Sequence, residues 1–144
     1  MGYAFEEKEG LSDIIFTAEG ESPEELFTAA WDAAAASTVE DLETIDFSEV
    51  RDIVKEERDL EYLLFDFLNE FLLLRDSEGL ILRIDTVTID RSKGRCRLEA
   101  HARGEPYDPE KHGRGSDIKA VTFHEFYLKE EPDGRWRARV LLDI

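Results

Sequence analysis

The run Asp59-Leu60-Glu61-Tyr62-Leu63-Leu64-Phe65-Asp66-Phe67-Leu68-Asn69-Glu70-Phe71-Leu72 carries the strongest helical periodicity in the chain. Leu60, Leu63, Leu64, Phe67, Leu68, Phe71 and Leu72 recur at spacings of three and four, which lays one apolar face along a helix. Asp59 is placed to cap its start and Gly79 to close its end. Past that glycine the period changes to two. Leu80, Leu82 and Ile84 share one face of a strand, while Val87 and Ile89 fall on the other phase. One extra residue near Asp85-Thr86, a β-bulge, reconciles the two sets.

Working outward, Cys96, Leu98, Ala100 and Ala102 alternate with Arg95, Arg97, Glu99 and His101, and Val50 to Glu57 reads as a further strand. Ser22-Pro23-Glu24-Glu25 opens a second helical stretch, with Ser22 as cap, Pro23 in the first turn and Glu25 able to complete a capping box. Its apolar stripe is Phe27, Ala30, Trp31 and Ala34. Tyr3 to Glu7 is a short strand. Ser12, Ile14, Phe16 and Ala18 mark another, ended by Gly20. Ile118 to Lys129 has apolar residues on both faces, which predicts a central strand. After a turn at Pro132-Asp133-Gly134, Trp136, Ala138, Val140, Leu142 and Ile144 share a face of the last strand. Residues 1–144 are therefore expected to form a single α+β domain, a mixed, mostly antiparallel sheet packed with two helices.

The charge narrows the function. Thirty-five Asp and Glu stand against eighteen Lys and Arg, a formal net charge of −17. Such a surface repels phosphate backbones, so direct nucleic-acid binding is not expected. It favours cations and basic protein surfaces, and it also suits a protein that works in high salt. No apolar run approaches a membrane span, no signal peptide is visible after Met1, and the lone Cys96 cannot form an internal disulfide. A cytoplasmic setting without membrane attachment is the expectation.

Candidate chemistry gathers in few places. Asp13 and Asp143 lie on the polar phases of the strands nearest the two ends of the sequence. If those strands pair, both carboxylates and the carboxylate of Ile144 could share an oxygen site for Ca²⁺ or Mg²⁺. The plainer alternative pairs Asp143 with Arg139 and leaves Asp13 facing water. His101, His112 and His124 lack zinc-ligand spacing. His124, on the expected central strand, reads as a hydrogen-bonded core histidine. His112 sits in a Pro/Gly-rich loop with Glu105 and Asp108, where solvation competes with a partner-contact or proton-handling role. No nucleophile elbow, phosphate-binding loop or dinucleotide fingerprint occurs. A metal-dependent hydrolase is disfavoured because no base or nucleophile is placed beside the carboxylates.

Several of these stretches together resemble the archease family. They are Ser12-Asp13-Ile14, Ser22-Pro23-Glu24-Glu25-Leu26-Phe27, Asp59-Leu60-Glu61-Tyr62-Leu63-Leu64 through Phe67-Leu68-Asn69-Glu70, Gly104-Glu105…Asp108…His112, Lys119-Ala120-Val121-Thr122-Phe123-His124 and Asp143-Ile144. The resemblance runs end to end. It implies a non-enzymatic activator of the GTP-dependent RNA ligase of tRNA splicing, which promotes guanylylation of the ligase and multiple turnover and broadens nucleotide use. It also implies a metal site at Asp13, Asp143 and Ile144 for a divalent cation, Ca²⁺ ahead of Mg²⁺ or Mn²⁺. Glu105, Asp108, His112 and Lys119 become candidate partner contacts. The chain departs from the family's His-Thr-Ala-Asp-Ile-Gly run: Gly10 stands in place of the histidine and Ile15 in place of the glycine. The rival expectation is a cation-binding or chaperone-like module with no role in RNA ligation.

Overall fold

The periodic run forms α2 (Leu60–Glu78), with the Asp59 side chain accepting the Tyr62 backbone N–H at 2.9 Å. Gly79 closes it in the left-handed conformation, φ 68°, which a residue with a Cβ adopts only at a cost. The computed structural model describes residues 2–6 and 13–144. Leu63, Leu64, Phe67, Leu68 and Phe71, from the expected stripe, are at most 2% exposed. Burying a side chain such as Phe67 stabilises the fold by roughly 1.5–3 kcal/mol. The first helix, α1 (Pro23–Thr38), starts at Ser22, whose hydroxyl accepts the Glu25 backbone N–H. Its Trp31 packs against Phe67 and Phe71 of α2 and donates its indole N–H to the Leu82 carbonyl at 2.8 Å. That bond satisfies a ring nitrogen which would otherwise be buried without a partner.

The strands are β1 (Tyr3–Phe5), β2 (Asp13–Gly20), β3 (Glu49–Glu57), β4 (Leu80–Ser92), β5 (Arg95–Pro106), β6 (Ala120–Glu130) and β7 (Trp136–Asp143). A one-turn helix, α3 (Pro109–His112), follows β5, and a 3₁₀ turn at Leu42–Thr44 precedes β3. The α+β class expected from the sequence holds. The strands, however, divide into two sheets, ordered β1-β2-β7-β6 and β3-β5-β4, and every pairing is antiparallel. Both helices fill the space between them: α1 packs on β2, β7 and β4, and α2 on β6 and all three strands of the second sheet. One cluster of buried side chains runs through all of these elements.

Two boundaries and one position differ from expectation. The first strand stops at Phe5, while Glu7, Gly10 and Ser12 lie outside the described residues. β5 continues past Ala102 to Pro106, which brings Glu105 onto its end. The shift of phase in β4 falls between Ile84 and Thr86, where the bulge was expected, so Asp85 is the extra residue. The stretch read as a central strand is an edge: among the described residues β6 pairs with β7 alone. Its apolar residues occupy both phases because the register breaks between Thr122 and Tyr127. Within the break, Phe123 and Phe126 turn onto Phe65 of α2.

Candidate functional site at the Asp13–Asp143 strand ends

β2 and β7 pair so that Asp13 faces Asp143, Ile15 faces Leu141 and Thr17 faces Arg139. Directly opposed residues share a face, so the two aspartates project together from the same end of the ladder. Both are half-buried. Like charges placed opposite one another destabilise a strand pair, and a cation between them removes that repulsion. The neighbouring pair on this face, Ile15 and Leu141, is apolar and only 6% exposed at each residue. Isoleucine thus occupies the position after Asp13-Ile14 as a packed side chain, and the acids stand beside a water-poor wall that strengthens their electrostatics. Arg139 is committed elsewhere: it bonds Glu6 at 2.9 Å and lies 3.6 Å from Glu125.

The surroundings of Asp143 are held by backbone bonds. Ala120 pairs with it in register, and the Lys119 backbone N–H donates to the Asp143 carbonyl at 2.7 Å. The Lys119 side chain is exposed beside this junction. On the other side, a cleft of about 410 Å³ opens next to Asp13, walled by Ala36 and Ser37 of α1 and by Gly115 and Ser116. This loop is zipped to the end of α1 by Gly115 N–H to Thr38 O and Ser116 N–H to Ser37 O, at 2.9 and 2.7 Å. A Cβ on Gly115 would sit 2.4 Å from the Ser37 oxygen, so only glycine permits the approach.

Behind that loop lies a knot of polar groups. The Asp108 backbone N–H donates to His112 Nδ1 at 3.0 Å, which leaves Nε2 as the protonated nitrogen. Nε2 donates to Glu105 Oε2 at 2.7 Å. Glu105 also accepts from the Asp46 backbone N–H at 2.8 Å and from Lys111 Nζ at 2.9 Å. These donors hold its carboxyl down at about 2, below the ordinary 4.5, the Asp46 bond contributing most and Lys111 and His112 next. Tyr107 stacks on the His112 ring and donates its hydroxyl proton to the Gly113 carbonyl.

The two histidines exchange places relative to expectation. His112, for which loop solvation competed, is 1% exposed and fully bonded. His124, read as a core residue, stands on the β6 edge with its side chain 73% exposed. Asp108 is exposed and caps α3, its carboxylate accepting the Glu110 N–H. Glu105 and His112 thus shape the loop, while Asp108 and Lys119 stand at its surface. Asp46 and Lys111 were missed by sequence reasoning, since the knot joins segments about sixty residues apart and only Glu105, Lys111 and His112 lie close in the chain. Among the described residues no three His, Cys, Asp or Glu side chains gather as a metal cage. The archease resemblance adds Ile144 to the Asp13–Asp143 pair as a third oxygen donor. Two opposed carboxylates with that donor are hard oxygens, a set that fits Ca²⁺, Mg²⁺ or Mn²⁺ and not a soft metal. Cys96 is buried, which pushes its thiol up, and stands apart from these groups.

Comparison with known proteins places the whole arrangement. The family model described as Archease protein family (MTH1598/TM1083) matches residues 5–144. The chain belongs to the archease family. It is 38% identical to Protein archease of Pyrococcus abyssi over 97% of this chain and 98% of that one. Protein archease of Methanosarcina mazei is 35% identical over 100% and 98%. The solution structure of Methanobacterium thermoautotrophicum protein 1598 superposes with a TM-score of 0.85 at 33% identity, covering 99% of both chains. The archease fold is therefore what brings Asp13 and Asp143 together. No helix among the described residues is long and apolar enough to cross a membrane.

Proposed function

We propose that this archease is an accessory protein that activates the GTP-dependent RNA ligase of tRNA splicing, promoting its guanylylation and its multiple turnover. The observation that carries the reading is the register of β2 against β7, which sets Asp13 opposite Asp143. Family membership supports the partner, and a net charge of −17 supports contact with a basic protein surface in preference to RNA.

Asp13, Asp143 and Ile144 would hold a divalent cation, Ca²⁺ before Mg²⁺ or Mn²⁺. When bound, it supplies positive charge between two opposed carboxylates, and so orders the tip for docking. The chain's own residues do the rest. The Lys119 N–H fixes the Asp143 backbone, and the Gly115–Ser116 zipper fixes the wall opposite Asp13. Glu105 and His112 anchor the loop that carries that wall. Asp108 and Lys119 present one acid and one base at its surface for the partner.

The test is the rate of guanylylation of the cognate ligase with and without this protein. Acceleration at substoichiometric amounts is expected. No acceleration, at matched salt and divalent cation, would give precedence to a cation-binding or chaperone-like module without a role in ligation.

A further inference from the structure

A second feature of β6 has no part in the tip. Between Thr122 and Tyr127 its pairing with β7 lapses, and Glu125 there has φ 52°, making it the non-glycine residue with positive φ among those described. A non-glycine residue held in that region stores strain, and such strain gathers at functional surfaces. What the strained turn presents is Phe123. Its ring stacks on Phe65 of α2 at 4.0 Å between centroids, meets Tyr62 and Phe126 edge-on at 5.2 and 5.1 Å, and is still 44% exposed. Tyr62 is 38% exposed beside it.

From this, and resting on the ligase reading above, we infer that the aromatic face of Tyr62, Phe65, Phe123 and Phe126 is where this protein docks its partner, and that the partner lays a basic segment of Arg or Lys side chains across the rings. Two observations select that occupant. The face already takes a guanidinium: Arg58 lies 4.1 Å over the Tyr62 ring, a geometry in which ring and cation attract. Acids adjoin it in the chain, Glu125 between Phe123 and Phe126, its side chain 58% exposed beside Arg139 and His124, and exposed Glu61 before Tyr62, so aliphatic stems with cationic heads match it in both shape and charge. A second copy of a chain carrying −17 is repelled from the same surface. The position also fits one continuous footprint. Phe123 is three residues along β6 from Ala120, the partner of Asp143, a span of about 10 Å at strand rise. Aromatic anchor and acidic tip then meet one basic partner together, the anchor giving affinity and the tip giving activation.

The experiment is a titration of ligase guanylylation with wild type, Phe123→Ser, Tyr62→Ser, Asp143→Asn and, as an exposed apolar control on β3 of the other sheet, Val50→Ser. Circular dichroism and thermal melts establish that each is folded. Tyr62→Ser serves if Phe123→Ser does not fold, because Tyr62 is a solvent-facing helix position. Loss of the anchor should raise the half-maximal concentration about tenfold or more while the saturating rate is kept. Asp143→Asn should do the reverse, lowering the saturating rate with little change in the half-maximal concentration, and Val50→Ser should match wild type. Unchanged half-maximal concentrations in the folded aromatic variants would overturn the inference and leave the ligase reading standing. So would a wild-type dimer that Phe123→Ser converts to monomer in sedimentation, or labelled RNA that binds wild type and not the variants. Failure of wild type itself to accelerate the ligase would overturn the ligase reading, and the docking inference with it.

Discussion

At the scale of single residues, His112 and His124 separate a structural role from a surface one. His112 uses both ring nitrogens inside the fold, and its removal leaves the Asp108 N–H and the Glu105 carboxylate short of partners. His112→Ala should lower unfolding free energy by about 2–4 kcal/mol, the range for breaking a buried network, while His124→Ala should stay within about 0.5 kcal/mol. Urea denaturation of the two variants checks this, and equal effects would contradict the assignment. Glu105 adds a pH dependence of known sign. Its folded carboxyl titrates near 2 and its open-chain counterpart near 4.5, so its contribution is complete above the upper value and is lost as pH falls toward the lower one. Glu105→Gln should therefore be less stable than wild type near neutral pH, with the gap closing on acidification. A gap that stays constant across that window would assign the effect to packing alone. None of this was legible locally. A histidine in a polar loop and one in an apolar run give the opposite impression, because His112 is held in by the Tyr107 ring and by its bonds to Glu105 and Asp108, not by an apolar period.

At the scale of elements, sequence reasoning succeeded where one period ran uninterrupted and failed where the backbone departed from it. The α2 stripe, the caps at Ser22 and Asp59 and the Asp85 bulge were all readable, since each follows from spacing or from one residue's chemistry. The position of β6 was not. Apolar residues on both phases mean a central strand when the register is regular, but here the break at 122–127 gives the second phase to α2. The division of strands into two sheets was equally hidden, because alternation reports which face is buried and not which strand lies alongside. Gly104 marks a close approach that alternation also cannot show. A Cβ there would stand 2.0 Å from the Ile81 carbonyl oxygen and 2.7 Å from Leu82 Cα, both backbone atoms that cannot step aside alone. Gly104→Ala should cost about 3 kcal/mol through forced separation of β4 and β5. Gly134 has open space around it and only a positive φ, so Gly134→Ala should cost about 1–2 kcal/mol. Chemical denaturation ranks the two, and the reverse order would contradict a steric role for Gly104.

At the scale of the whole molecule, the site is a product of topology. Residues 13 and 143 meet because β2 and β7 are adjacent in the middle of a four-stranded sheet. Sequence reasoning could name the pair conditionally, on polar phase and on resemblance, but the pairing itself is a long-range fact that only the fold supplies. The same fold leaves the acids at the edge of an apolar pair, behind a loop anchored by Glu105 and His112. It also pairs Asp143 with Ala120, three residues before Phe123 of the aromatic face on β6. An acidic exterior disfavours RNA and favours basic protein surfaces. The direct measurement is single-turnover guanylylation of the RNA ligase in the presence of wild type, Asp13→Asn and Asp143→Asn, each shown by its thermal melt to be folded. Acceleration by wild type and its loss in both variants is the expected result. Full acceleration by both folded variants would contradict a functional tip at Asp13 and Asp143.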